Sequence, residues 1–457
     1  MSPRGPSRRS RSMALVPRMS VTVRFGLISA LIAACAGSDT SADQRFTVED
    51  SAGVRIVRNG STGSLPAAAL DSPEITLRIG AVEGAPELQF FRIFGVAEDI
   101  DGNIWVLDTG HAEVRVFDAA GRHVRTFGRQ GSGPGEFRMP TQLMLMGDTV
   151  LVGDGGLNRF TLFDRQGGVL GTFSNGDRTS GQLYPVARTE HGWIVQPYLY
   201  VSWPYQHMVE HRNTTRLGFV ASIEAALPAA TRIASTTAES GFSDPAVQWR
   251  ELLRYPGVRR FGINTSLTMT ATDPLFEPEP RHAVDGLGRI HFTAAMDYVI
   301  DTYDTDGRHV RRLTRAYTPV PVDDALVSRF ADRVRTHWDT AAMVGEAELG
   351  KANDEARLTL PHVPTLPPIG GMVASGNGSL WVERIDLVED PIEREWTRQS
   401  APPRPGRWDL FDPDGRFLGT VTLPARFTPR FAGDRWMLGV LRDELDVQYV
   451  VRFEVRG

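Results

Sequence analysis

A short pattern of alternating apolar positions recurs along this chain: an apolar run, an aromatic residue, Asp, two residues, Gly, and further alternation. It reads Val114-Arg115-Val116-Phe117-Asp118-Ala119-Ala120-Gly121, and 46 residues later Phe160-Thr161-Leu162-Phe163-Asp164-Arg165-Gln166-Gly167. It returns at Ile300-Asp301-Thr302-Tyr303-Asp304-Thr305-Asp306-Gly307 and at Trp408-Asp409-Leu410-Phe411-Asp412-Pro413-Asp414-Gly415. Each copy predicts a strand, a tight turn whose Gly takes a positive φ, and a return strand. Asp118, Asp164, Asp304 and Asp412 stand where a carboxylate caps the amides of its own turn, so their recurrence is read as structural.

A second element precedes these hairpins, a polar turn followed by an apolar strand. Its copies begin at Asp101-Gly102, Gly147-Asp148, His191-Gly192, Gly288-Arg289, Gly378-Ser379 and Gly433-Asp434, which makes six units. A period of about 45 residues with four short strands per unit is the pattern of a β-propeller, because each sheet must stack on its neighbours to bury its faces. The intervals from Gly192 to Gly288 and from Gly288 to Gly378 each span about two periods, and eight blades would fit that spacing. Both intervals hold helical signals, so six blades with helical insertions is preferred. One helix is predicted from Asp244-Pro245 through Trp249, Leu252 and Leu253 to a stop at Pro256-Gly257. The other starts at Asp323 or Asp324, with Leu326, Val327, Phe330, Val334 and Trp338 along one face. The strand-like runs Gly53 to Val57 and Tyr449 to Val455 are expected to share a blade and close the ring, which leaves no open edge. The fold class is therefore all-β, with residues 52–457 as one propeller domain.

The amino terminus adds a different signal. Arg18 and Arg24 precede the apolar stretch Phe25 to Ala34, and the only cysteine, Cys35, follows at once. A basic region, about ten apolar or small residues and a small-residue cleavage point make an export signal over residues 1–34. The stretch is shorter than the roughly 20 residues a membrane-spanning helix needs. Residues 1–12 read as an over-long start, with Met13 or Met19 the better initiator, and residues 35–51 read as a flexible tether. Ordinary cleavage a few residues beyond Cys35, at an Ala-x-Ala-like site, is the competing reading. A single cysteine also leaves nothing for an intrachain disulfide.

Removal of residues 1–34 takes away six Arg and no acid from 50 basic and 55 acidic residues, which leaves a net charge of −11. An acidic surface argues against nucleic acid as a partner and against electrostatic adhesion to anionic lipid.

Residues 88–137, with Asp101-Gly102-Asn103-Ile104-Trp105-Val106-Leu107-Asp108 and the loop Gly131-Ser132-Gly133-Pro134-Gly135-Glu136-Phe137, resemble the NHL-like repeats of bacterial six-bladed propeller lipoproteins. The resemblance is good over 88–173, thinner over 280–315 and 370–457, and poor between. The residues around Cys35 are similar to a lipobox, which implies diacylglycerol on Cys35, cleavage after Ala34 and a lipid anchor. Ala36, where Asp would hold the protein back, resembles signals for passage to an outer membrane. The implied location is the cell envelope, at an outer membrane facing the periplasm or at the cell surface.

Chemistry-bearing motifs are sparse. The Gly131 to Phe137 loop lacks the Lys and Ser or Thr of a P-loop and is read as a link between blades, with Phe137 buried. His207 and His211 are four apart, but Pro204 and the flanking aromatics read as strand or loop, so no zinc pair is assigned. No Gly-x-Ser-x-Gly elbow precedes a helix, and no catalytic residue is assigned. Asp108, His111, Asp154, Asn158, Glu383 and Arg384 fall in loops at the expected mouth of the central channel and are the candidate binding residues. Acids from separate blades suit Ca²⁺; Asp108 and Asp154 bonding backbone amides within their own blades is the other reading. The expected function is a membrane-tethered, monomeric binding or scaffold module for an envelope protein or a small-molecule ligand. A metal-dependent, lactonase-like hydrolase with its site at the channel is the alternative.

Overall fold

The computed structural model describes residues 45–456, apart from 199–213, 216–230, 235–248, 341–345, 386–404 and a few shorter breaks. Cys35, the export signal and the His207/His211 pair lie outside the described residues. Among those described, no helix is long and apolar enough to cross a membrane.

Among the described residues there are seven sheets: six follow one another along the chain, each with an antiparallel meander outward from an inner strand, and a three-stranded one joins Thr214–Thr215, Arg259–Asn264 and Met269–Thr272. The first blade is Ile93–Glu98, Ile104–Asp108, Glu113–Phe117 and His123–Phe127, and the second is Pro140–Met146, Thr149–Asp154, Arg159–Asp164 and Val169–Ser174. The third holds Gly181–Thr189, Gly192–Tyr198, Thr231–Ala234 and Trp249–Glu251, with Gly176–Asp177 at its inner edge. Arg281–Val284, Ile290–Thr293, Val299–Tyr303 and His309–Arg315 make the fourth, and Ile369–Ala374, Leu380–Arg384, Gly406–Phe411 and Phe417–Leu423 the fifth. The sixth combines Phe427–Ala432, Trp436–Arg442 and Gln448–Glu454 with an amino-terminal strand, Glu74–Ile79. All six turn-and-strand units read from the sequence supply the second strand of different blades; the turn at His191 lies outside the described residues. The protein is a six-bladed β-propeller.

The repeated hairpins fold as their composition dictates. Asp118 accepts hydrogen bonds at Oδ1 from the amides of Ala120 (3.0 Å) and Arg122 (2.9 Å), and Gly121 takes φ 79° to close the turn. Asp164 and Asp304 cap their turns the same way, and Asp412 accepts the amide of Arg416 at 2.8 Å.

The core lies between blades. Trp105, Val114, Phe137, Val150 and Phe163 fill the space between the first and second, so Phe137 is buried as its loop predicts. Leu77, Ile79 and Val450 meet Val96, Ile104 and Phe117 across the closure. Each large side chain fully buried in this way contributes about 1.5–3 kcal/mol.

Two expectations are corrected. The ring is closed by Glu74–Ile79, whose register runs from Glu74 opposite Glu454 to Ile79 opposite Val450. The run at Gly53 to Val57 lies elsewhere: Val54–Asn59 pairs in parallel with His309–Arg315 and carries Phe46–Ser51 outside it, extending the fourth blade to six strands. The last residues assigned to the tether, 46–51, are thus strand. Between these two additions the chain straps across the fifth blade. Leu65 donates its amide to the Leu418 carbonyl at 2.8 Å, and Leu70 is buried with Trp408, Val421 and Leu423. Gly419 admits this strap, since a Cβ there would lie 2.3 Å from Leu70 Cδ1.

The helix predicted over 244–253 is also corrected. Residues 235–248 lie outside those described, but Trp249–Glu251 is a strand paired with Thr231 to Ile233, and Leu252 and Leu253 pack against Ile290 and Phe292 of the next blade. Apolar residues there serve a sheet edge and a blade interface, which periodicity alone does not separate from a short helix. The second predicted helix is present as Asp324–Thr340 and is followed by Glu346–Thr359. Asp323 caps it by accepting the amide of Leu326 at 2.8 Å, and Leu326, Phe330 and Val334 are buried against Leu275, Phe276 and Leu366.

Candidate binding site at the channel mouth

Each second strand ends where its inner strand begins, so the loops after second strands and the crossovers between blades gather at one end of the propeller. Asp108 ends the strand Ile104–Asp108 and is fully buried. It accepts the amides of Phe91 (3.1 Å), Arg92 (2.9 Å) and Gly110 (3.1 Å), and its Oδ2 lies 2.8 Å from His111 Nδ1. Burial raises its pKa, and the Arg92 amide, the His111 ring and the Phe91 amide more than reverse this, leaving the carboxyl below its ordinary range. Asp154 repeats the arrangement in the second blade, accepting the amides of Arg138 (2.7 Å), Met139 (3.2 Å), Gly156 (2.8 Å) and Leu157 (2.9 Å). Both acids therefore staple a crossover to the loop beside it.

The remaining candidates divide. His111 is half-exposed and packs edge-on against Phe91, ring centroids 6.2 Å apart. Asn158 takes φ 50° in the loop after Asp154, a conformation Asn tolerates better than most residues. Glu383 and Arg384, expected in a loop, end the strand Leu380–Arg384, opposite Trp408 and Arg407. The structure joins Asp108 to His111 and places Asn158 in the loop after Asp154. Among the described residues no group of three or more His, Cys, Asp or Glu side chains is placed to hold a metal ion.

What the mouth does present is apolar surface. Phe91 is 65% exposed, Met139 48%, Met296 64% and Leu445 82%, all on crossovers or loops of this end, and Phe94 on the first inner strand is 43% exposed. Phe91 and Met139 follow directly from the staples, because their own amides are among those held by Asp108 and Asp154.

A further feature was invisible in the sequence. In five of the six blades the inner strand slips its pairing by one residue, a bulge that frees one residue from the ladder and re-aims its side chain. In the first blade that residue is Phe94, and in the sixth it is Arg430. These two blades are neighbours, and Arg430 Cζ lies 5.8 Å from the Phe94 ring centroid. Arg430 is exposed, yet neighbouring protein desolvates it in part, and this, followed by repulsion from Arg442, lowers its pKa below the usual guanidinium value.

Two buried polar clusters are also present among the described residues. His291 bonds Asp285 through Nε2 and Thr302 through Nδ1, each at 3.0 Å. The order carboxylate, imidazole, hydroxyl resembles a nucleophile triad, yet all three side chains are buried, so no substrate reaches the hydroxyl and the cluster ties a turn to its blade. Asp409, also buried, lies 3.0 Å from Arg315 and accepts hydroxyl bonds from Tyr298 (2.5 Å) and Thr420 (2.6 Å). A signal for it was present: Arg115, Thr161, Asp301 and Asp409 hold the same polar place in the repeated hairpin, two residues before the aromatic.

Residues 91–172 match a family model described as a 6-bladed beta-propeller. Among solved structures the chain is similar to a DUF4221 family member from Bacteroides vulgatus, at 10% identity and a TM-score of 0.44, covering 84% of this chain and 98% of that one. It is similar to the calcium-binding protein regucalcin from Agrobacterium tumefaciens at 11% identity and a TM-score of 0.30, covering 84% and 97%. Virginiamycin B lyase from Staphylococcus aureus, with quinupristin, aligns at 11% identity and a TM-score of 0.37, covering 83% and 99%. No curated protein matches the chain.

Proposed function

We propose that the protein is a lipid-anchored binding module of the cell envelope that takes a small-molecule ligand at the mouth of its propeller. The observation that carries the binding role is the exposure, on one end, of Phe91 and Met139, on crossovers that buried Asp108 and Asp154 hold rigid, and of Met296 on a loop of the fourth blade. Rigid presentation matters because a site ordered in advance spends less of its binding free energy on ordering itself. The tether rests on the run from Arg18 through the apolar stretch to Cys35.

The test is thermal-shift screening of the detergent-purified mature protein against a library of envelope metabolites, run beside a Phe91→Ser/Met139→Ser variant. A compound that stabilises the wild type and not the variant supports the mouth as the site. Equal stabilisation of both, or no stabilisation of the wild type by any compound, counts against it.

A further inference from the structure

Several arginines near this part of the molecule are committed to partners. Arg442 pairs with Asp446 at 2.9 Å, Arg426 donates to the Asp443 carbonyl at 2.7 Å, and Arg452 pairs with Glu98. Arg281, on the inner strand of the fourth blade, pairs with Glu279 and donates to the Gly370 carbonyl at 3.0 Å. Arg430 alone among these makes no hydrogen bond or ion pair with any described residue; its contact is the face of Phe94. Both side chains stand at bulges, where the strand no longer dictates alternation, and both are open to solvent on strands that line the central channel.

We infer that Arg430 and Phe94 form a recognition pair for an organic carboxylate with a flat apolar body. The inference rests on the mouth being a binding site and names the class of ligand it takes. A guanidinium offers a planar fork that matches a carboxylate with two parallel hydrogen bonds. Phe94 holds that fork by cation–π contact and offers ring surface to the ligand body. Protein mass around the guanidinium strengthens the pairing relative to open water.

The experiment is a ligand-observed NMR titration of the mature protein with benzoate, its neutral counterpart benzamide, and inorganic phosphate. The wild type is expected to bind benzoate at least about tenfold more tightly than either of the others. Arg430→Gln, which alters a solvent-open side chain and should leave the melting temperature in place, is expected to erase that preference. Phe94→Ser is expected to weaken benzoate and benzamide alike. Equal binding of benzoate and benzamide by the wild type, a preference that survives in Arg430→Gln, or phosphate binding as tight as benzoate would each overturn the assignment. A screened ligand lost in Phe91→Ser/Met139→Ser but kept in Arg430→Gln sinks the carboxylate assignment and leaves the mouth as the site; one kept in both variants sinks both.

Discussion

The imidazole of His111 lies 2.8 Å from a carboxylate oxygen of Asp108 that is wholly buried, and the same carboxylate holds the amides on which Phe91 and Arg92 hang. The acid is thus foundation and the histidine is its visible edge. Asp108→Asn replaces acceptor oxygen by an amide group that faces backbone N–H donors. Leaving one buried donor unsatisfied costs about 1–3 kcal/mol, so a loss of about 2 kcal/mol is expected in urea unfolding. His111→Ala, which removes a half-exposed contact, is expected to cost under about 1 kcal/mol. A larger loss for His111→Ala than for Asp108→Asn would contradict this ordering.

Asp154 separates the structural reading from the hydrolase one. All its described bonds go to amides, so Asp154→Ala is expected to lower stability by about 2 kcal/mol and to leave the metal content of the purified protein as it is in the wild type. Loss of a stoichiometric metal ion in Asp154→Ala, measured by elemental mass spectrometry, would restore the metal-dependent alternative.

Asn59 clamps two blades with one side chain. Its Nδ2 donates to the carbonyls of Thr314 (3.1 Å) and Gly415 (3.0 Å), and its Oδ1 accepts the Phe417 amide at 2.8 Å. Truncation strands groups on both the fourth and the fifth blade, so Asn59→Ala is expected to cost about 3 kcal/mol by the same unsatisfied-group penalty. Deleting residues 45–59 is expected to destabilise the protein further while leaving closure by Glu74–Ile79 in place. The check is urea unfolding together with hydrogen exchange, protection of Val450 to Phe453 surviving the deletion.

How much of this was legible depended on the range of the interaction. The six second strands and the capped hairpins follow from neighbours in sequence, because the Asp118 turn is satisfied within four residues and its Gly within three. Ring closure was misplaced because Val54–Asn59 and Glu74–Ile79 alternate alike, and their pairing is decided by partners more than 250 residues away. Phe94 and Arg430 were missed for a geometric reason: a bulge is a shift in register and leaves no mark in composition. Asp409 was missed although a polar residue inside an apolar repeat pointed to it.

Acid should weaken the fold through His291. Burial, followed by the positive Arg311 and Arg289, outweighs Asp285 and holds its pKa below the ordinary histidine value. In the unfolded chain that value is about 6.5. Above it both states are neutral and nothing is lost. As pH falls below it, the unfolded chain takes a proton that the folded chain refuses, so stability declines toward the folded pKa. Asp285, whose pKa is lowered, adds a second loss only below about 4. The urea midpoint is expected to be lower at pH 5.5 than at pH 7.5, with a smaller drop in His291→Gln. An equal drop in the variant would remove His291 as the cause.

Lipidation is a separate question and has its own readout. Cells fed radiolabelled palmitate are expected to label the wild type and not Cys35→Ala, with the variant moving to the soluble fraction. Each buried methylene contributes about 0.8 kcal/mol, so several chains hold where one would not. Label retained by Cys35→Ala would send the reading back to an ordinary export signal.

The Arg315–Asp409 pair tests how the fourth and fifth blades are coupled. Burial raises the Asp409 pKa while Arg315, Thr420 and Tyr298 pull it down. Tyr298, beside the carboxylate, is held well above its ordinary value, by burial first and then by that negative charge. Removing Arg315 leaves the buried carboxylate its two hydroxyl donors and the more distant Arg384, whose Nε is 4.0 Å away, and breaking a buried pair costs about 3–5 kcal/mol. Arg315→Met is therefore expected to be severely destabilising, whereas Arg315→Met with Asp409→Asn removes both charges and keeps the hydrogen-bonding shape toward Tyr298 and Thr420. The double variant is expected to recover at least about 1 kcal/mol over Arg315→Met, because the two sites share one contact and so do not add. If the two losses simply add, the ion pair is not what joins these blades, and the apolar contact of Ile300 and Leu313 with Phe411 and Phe417 carries the interface alone.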